Sequence, residues 1–433
     1  MVWPAVVALS EALDNAFSTL RPSRLLGAIF LILLVYTSPV RASASGANSD
    51  PLGYLSRSPT QSPCGYGRPA VLPSVWLTPS WAGPQVTKLP TRAGDFTDFW
   101  DYIISTDANQ VKAENIATGH IDFSSTDARI VIQSAINTLK QGGKILLKEG
   151  TYSLTKNPTW SSGAIVISDA TKITLEGQGN GTVLRVGNGE NTDAILVQRN
   201  SYGIAIRNMQ IDGNKAQQTA RQDGHGVELD GGAAGDILSD VVIEGLYVHD
   251  TYGTGIWIQR SSNITVQNNL IVANRGMDKD SQGIKLYTVS HVVLKGNRVR
   301  NVNYRCIGIS QGSYDILVQD NNLDSCEFGI EVSGSDVGPS HDITITGNQI
   351  HNVNGAGGDA LRIENGSYNI KVTSNSIDNA ARFGVFIVNG HDVTITSNTI
   401  RFTGDYAIYA RAGYNITVGS NTMTNVHGTV HLP

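Results

Sequence analysis

Lys285 and Arg305 stand 20 residues apart, each in a short run of β-forming residues. Around them, at similar intervals, fall acids, a histidine and aromatics. Taking the proton from the carbon beside a sugar carboxylate needs a base to receive it and a cation to hold the enolate-like charge that develops. Lys285 is the candidate base and Arg305 the candidate carboxylate clamp, with His225, Asp223 and Asp280 as the remaining candidate catalytic groups. Glu228, Trp257, Tyr304, Glu331, Asp359 and Arg362 make up the candidate binding set. Aromatic faces suit sugar rings, and Lys or Arg suits carboxylates. The same charges have a plainer reading. Lys285 between Glu228 and Glu331, or Glu331 beside Arg362, would form ordinary cross-strand ion pairs.

What brings these residues together is a repeat. Glu228, Trp257, Lys285, Gly308, Glu331, Arg362, Phe386 and Tyr409 each hold the third place of a run of the form Gly-apolar-x-apolar, with Cys306, Ala360 and Ala407 in the glycine's place in three of them. Three positions ahead of them stand His225, Thr254, Gln282, Arg305, Phe328, Asp359, Phe383 and Tyr406. From the Trp257 run onward a second strand follows each run and ends at an asparagine: Asn269, Asn297, Asn321, Asn348, Asn375, Asn398 and Asn421, spaced by 28, 24, 27, 27, 23 and 23 residues. Before those asparagines, segments such as Asn263–Gln267 and Asp342–Thr346 alternate apolar with polar residues, the two-residue period of a half-buried strand. A period that stretches while its strands persist is that of a solenoid whose loops vary. Stacked at about 4.8 Å, the x positions form one column of acid, base and aromatic on one face. The asparagines form a hydrogen-bonded ladder at a buried corner, which belongs to stability.

The chain has 433 residues, 46 of them Gly, and a net charge of −5. A solenoid accommodates this length in one domain because each coil packs only on its neighbours. An acidic balance argues against nucleic acid as the partner. Leu25–Tyr36 is a twelve-residue apolar run behind Arg21 and Arg24, followed by Ala42-Ser43-Ala44. About twenty apolar residues are needed to cross a bilayer, so residues 1–44 read as a secretory signal, or a signal-anchor if uncleaved. Membrane attachment would be through that segment alone. Residues 45–93 hold eight of the fourteen prolines and read as a linker, and 94–433 as the solenoid domain. Cys306 and Cys326 fall in neighbouring coils about three residues out of register; at about 3.3 Å per residue that is too far for a bridge, and free thiols are expected. Cys64 has no evident partner. The loop Arg275–Asp280 carries two carboxylates one residue apart, too few for calcium on their own. It reads as a solvated turn, with calcium the one ion it would suit and no metal ligand assigned.

Thr126–Lys140, stopped by Gly142-Gly143, has the pattern of one amphipathic helix with Ile132, Ala135, Ile136 and Leu139 on a face, placed to cap the first coil. This helix and the strands of Lys144–Leu154, within Ala117–Leu154, resemble the opening of the pectate-lyase-like superfamily of right-handed parallel β-helices. That superfamily includes pectate lyases, polygalacturonases, mannuronan C5-epimerases and phage tailspikes; the resemblance covers roughly residues 113–430. It implies an all-β, single-stranded right-handed parallel β-helix of about ten coils with an N-terminal capping α-helix. One scaffold carries many chemistries, so the motifs decide the rest. Asp212–Ala216, Asp223-Gly224, Val241–Gly245 and Tyr252-Gly253 run parallel to the epimerases, but where those have an Asp-Pro-His triplet this chain has Ile256–Gln259. The epimerase catalytic set is not carried over. Asn191-Thr192-Asp193, Gly224-His225-Gly226 and Arg362-Ile363-Glu364 echo polygalacturonases, with the Asp-Asp pair missing and Glu364 in place of a lysine.

The expected function is therefore that of a secreted or cell-surface polysaccharide-binding β-helix, acting as a lyase on an acidic, uronate-containing glycan. The alternatives are a non-catalytic surface or adhesion module, and a polygalacturonase-like hydrolase using Asp193, Asp223 and His225. Neither cofactor nor oligomeric state is specified.

Overall fold

The computed structural model describes residues 100–433 except 108–109, 160–161, 220–223, 233–236, 273–280 and 356. The proposed signal and linker, Cys64, Asp223 and Asp280 lie outside the described residues. Among the described residues, no helix is long and apolar enough to cross a membrane.

From residue 143 the chain winds through about ten turns of an all-β parallel solenoid, three short strands to a turn. One turn consists of β1 (Ile256–Gln259), β2 (Ser262–Gln267) and β3 (Leu270–Val272); the next repeats it as β4 (Ile284–Tyr287), β5 (Ser290–Lys295) and β6 (Arg298–Arg300). Each strand pairs in parallel with its equivalent one turn on, at Trp257↔Lys285, Thr265↔Val293 and Ile271↔Val299. Three sheets result, stacked along the solenoid axis. Alternation explains the core: Ile256, Ile258, Ile284, Leu286, Val266 and Leu294 point inward and are all fully buried.

Between the second and third sheets runs the asparagine ladder. The residue ahead of each of Asn269, Asn297, Asn321, Asn348, Asn375 and Asn398 is left-handed, with φ between 55° and 68°, which turns the chain through the corner. There Asn, Asp, Gly and Ser are the residues found, the types that tolerate this conformation best. The side-chain amide of Asn321 donates to the Leu294 carbonyl and to Asn348 Oδ1, while its own Oδ1 accepts from the Asn297 backbone and side chain. The same pattern links Asn269 to Asn297 and Asn398 to Asn421.

Ahead of the solenoid lies an antiparallel meander, Tyr102–Asp107, Gln110–Asn115 and His120–Ser125, which the sequence repeat does not announce. Its first strand pairs in parallel with Gly143–Leu147. Helix α1 (Ala128–Thr138) starts at Asp127, whose carboxylate accepts from the Arg129 N–H at 3.0 Å. It buries Val131, Ile132, Ala135 and Ile136 in the common core.

One expectation is overturned. Cys306 and Cys326 are disulfide-bonded, with Cα atoms 5.7 Å apart, and are not free thiols. The register offset is real, since Arg305 pairs with Phe328. The three residues do not run straight along a strand, however: the strand begins only at Phe328, and Cys326 lies ahead of it in the corner that follows Asn322–Asp324. A distance reckoned on extended chain therefore overestimates the gap.

Candidate functional site

The sheet containing β1 and β4 presents the predicted column. Its register is continuous: Glu228↔Trp257, Trp257↔Lys285, Lys285↔Gly308, Gly308↔Glu331, Glu331↔Arg362, Arg362↔Phe386 and Phe386↔Tyr409. Rungs at about 4.8 Å thus set alternating charge and aromatic surface along one line.

The stripe is more buried than alternation alone suggests. Glu331 is 3% exposed, Gln282 1% and Asp359 not at all. The cause is that long side chains fold along the sheet onto their neighbours. Arg305 pairs with Glu331, donates to the Tyr304 hydroxyl at 2.8 Å and lies 4.0 Å from the centre of that ring. Arg382 grips Asp359 through Nε at 2.8 Å and Nη2 at 2.5 Å, and Arg362 donates to Glu364 at 2.6 Å. Burial raises the Glu331 and Asp359 carboxyls above their ordinary range, against the pull of these arginines. Arg382 was not singled out from sequence, because only the stacking of one turn on the next brings it to Asp359; Glu364 entered only as a departure from the polygalacturonase motif.

Lys285 and Arg305 border one cleft of about 220 Å³, shared with Gln282, Tyr287, Gly308 and Glu331. Gly308 lines the cleft and leaves room for the side chains that border it. In the column it takes the place between Lys285 and Glu331, and a Cβ there would meet Gln282 Oε1 at 2.1 Å and Arg305 Cδ at 3.0 Å. Gln282 Oε1 and Arg305 Nε are buried polar atoms without a hydrogen-bond partner. The Lys285 ammonium lies 4.7 Å from the centre of the Trp257 ring, a cation–π contact.

Beyond Trp257 the site turns acidic and enclosed. His225 packs edge-on against Trp257 with ring centres 4.7 Å apart, and its Nδ1 accepts the Thr254 N–H at 2.8 Å. Only an unprotonated nitrogen accepts, so the imidazole carries its proton on Nε2. Burial, then the charge of Lys285, lowers the His225 pKa to about 3, so the ring is neutral. A Cβ on Gly253 would strike this Nδ1 at 2.5 Å, which accounts for the glycine. Asp193, fully buried, accepts the N–H groups of Gly224 and His225 at 2.8 and 2.7 Å. At the far end, Phe383 stacks on Phe386 and Tyr409, and Tyr409 on His431, at 4.7 to 4.9 Å.

A second polar cluster lies on the third sheet. Asp212, His249 and Asp250 bring one ligand atom each within 4.8 Å of one another. Those atoms already have partners: His249 meets Gln210 at 2.8 Å and Asp250 at 2.7 Å, and Asp212 meets Arg185 at 3.5 Å.

A parallel solenoid with a continuous charged and aromatic stripe on one sheet defines a right-handed β-helix protein. The family model for a right-handed beta helix region matches residues 108–357 and 282–432, and the chain belongs to that family. No curated protein matches the chain. Among solved structures it is similar to the A-module of a mannuronan C-5 epimerase from Azotobacter vinelandii, at 19% identity and TM-score 0.55, covering 70% of this chain and 93% of that one. It is also similar to an exopolygalacturonase from Thermotoga maritima, at 14% identity and TM-score 0.54, covering 70% and 84%. An endo-xylogalacturonan hydrolase from Aspergillus tubingensis matches at 16% identity and TM-score 0.54, covering 76% and 94%. Likeness at this level of identity is likeness of fold.

Proposed function

We propose that this chain binds an extended acidic polysaccharide along the column from Glu228 to Tyr409. The observation that carries the reading is the cleft beside Gly308, which Lys285 and Arg305 border together, with Trp257 against Lys285. A sugar carboxylate in that cleft meets two cations, while flanking sugar rings meet Trp257 on one side and Phe386 and Tyr409 on the other. Three similarly folded proteins are named as an epimerase of mannuronan, an exopolygalacturonase and a xylogalacturonan hydrolase, which supports a carbohydrate ligand. We place the protein outside the cell, exported through residues 1–44 and spaced by 45–93, with α1 as the cap of the first coil.

A second reading adds chemistry at the same cleft. Lys285, as the free amine, takes the C5 proton beside the uronate carboxylate, Arg305 leaves Glu331 to hold the carboxylate charge, and the C4–O bond breaks as the C4–C5 double bond forms, the departing oxygen taking its proton from the lysine ammonium. The sharing of one cleft by both residues favours it. Affinity electrophoresis against polyuronates and neutral glycans, with ultraviolet absorbance for unsaturated product, tests both readings. Retardation by polyuronates without absorbance leaves a binding module; no retardation by any polyuronate overturns the proposal.

A further inference from the structure

The enclosed end of the column contains two carboxyls, Asp193 and Glu228, whose shared charge the binding reading does not specify. Asp193 opens the strand Asp193–Gln198, and Glu228 stands in the strand Val227–Asp230 stacked on it, with Val227 level with Ile195. One oxygen of Asp193 is engaged by the Gly224 and His225 N–H groups. The other, Oδ2, is sealed from solvent and has no N–H or hydroxyl donor. What it meets is the carboxyl of Glu228, itself only 6% exposed, whose Oε1 accepts from Gln259 Nε2 at 2.7 Å. Two carboxyl oxygens buried against one another are satisfied when a proton lies on one of them.

We propose that Asp193 and Glu228 hold one proton between them at neutral pH, so that this end of the column meets a polyuronate lying over Trp257 with one negative charge rather than two. The surrounding charged and titratable groups fit this assignment. His225 is neutral, with Nδ1 tied to Thr254. Lys285 is drawn over Trp257, and Asp230 at the far end of the strand is paired with Arg260 at 2.5 Å. Burial first, and then Glu228, push Asp193 well above the usual carboxylate range. With one proton the pair carries a single negative charge. When that proton is lost in alkali, the pair confronts a polyuronate with two.

The role at the glycan rests on the proposed binding function; the shared proton does not. Two measurements on the full chain therefore separate them. Infrared difference spectra at neutral pH are expected to show a protonated-carboxyl band in the native protein that is missing from Asp193→Asn and from Glu228→Gln. Asn at 193 keeps the acceptor for Gly224 and His225 and gives Glu228 an amide donor, so the fold is retained. In affinity gels, polygalacturonate affinity of the native protein is expected to fall about fivefold from neutral to mildly alkaline pH, and that of Asp193→Asn to stay level. Equal carboxyl bands in all three proteins overturn the shared proton whatever the glycan result. The band without polyuronate binding at any pH overturns the glycan role and the binding function with it. Equal alkaline loss in native and Asp193→Asn proteins overturns the glycan role alone.

Discussion

Trp257 and Lys285 occupy the same position of successive turns, and the lysine ammonium is held 4.7 Å from the centre of the indole ring. The cation is thereby aimed along the column beside the Gly308 cleft. Surface cation–π contacts contribute about 0.5 to 1 kcal/mol, so the pairing orients Lys285 more than it stabilises the fold.

Replacing Lys285 by Ala is expected to weaken polyuronate binding about tenfold, the effect of removing one charge-assisted contact. The denaturant midpoint should stay close to native, because the side chain is half-exposed. Affinity gels and equilibrium unfolding on the same preparation check both halves. A large drop in stability with unchanged binding would mark Lys285 as a structural ion-pair residue.

Filling the cleft tests the site from the opposite direction. In Gly308→Val the added side chain collides with Gln282 and Arg305. Polyuronate affinity should fall at least as far as in Lys285→Ala, while far-ultraviolet circular dichroism keeps its β signature. Native affinity in the Val variant would move the carboxylate site elsewhere.

The ladder should be costly to break in its middle. Asn321→Ala removes a buried amide, leaving the Asn297 N–H without its acceptor and the Leu294 carbonyl without the Asn321 donor, while Asn348 Oδ1 keeps only the residue-321 N–H. Each unsatisfied group costs about 1 to 3 kcal/mol, so a loss of about 3 to 5 kcal/mol is expected from the unfolding midpoint. At the less enclosed Asn421 the same change should cost less, because water can replace the lost partners.

The disulfide is open to direct assay. Thiol titration of the unfolded, unreduced chain should detect Cys64 at most, and reduction should release Cys306 and Cys326. Closing a loop of 20 residues contributes about 3 kcal/mol, which reduction should remove from the measured stability. Reactive thiols at 306 and 326 without reductant would contradict the assignment.

His225 predicts a pH dependence of defined sign. Its folded pKa is about 3 against an ordinary 6.5, so between those values the unfolded ring takes up a proton that the folded ring does not. Stability from this residue is fully present above pH 6.5 and falls with acidification to pH 3, at up to about 1.4 kcal/mol per unit. The raised carboxyls of Asp193, Glu331 and Asp359 act in the opposite sense on acidification. The comparison must therefore be with His225→Gln, in which the Thr254 N–H keeps an acceptor. The variant's stability curve should be flatter over this window, as read from denaturant midpoints.

Much of the site's layout was legible before any coordinates. The column from Glu228 to Tyr409 follows from the two-residue strand period and the coil repeat, both backbone properties written into residue type. Its burial was not legible. Arg305 folding onto Glu331 and Arg382 onto Asp359 depend on rotamers chosen between rungs 23 to 31 residues apart in sequence. The Cys306–Cys326 bridge escaped for a related reason, since Cys326 lies in the corner ahead of its strand, where three residues span less distance than in extended chain.

By itself, the sequence determined the parallel solenoid, the inward Ile, Val and Leu positions, the corner asparagines and the line on which Trp257, Lys285 and Gly308 fall, because local alternation and a repeated turn govern each of them. Only the tertiary structure decided which charges are already spent on one another, that Lys285 and Arg305 border one cleft beside Gly308, that Asp193 and Glu228 meet, and that His225 is neutral. Those properties arise from desolvation and from contacts between successive turns, and such contacts exist only once the turns are stacked.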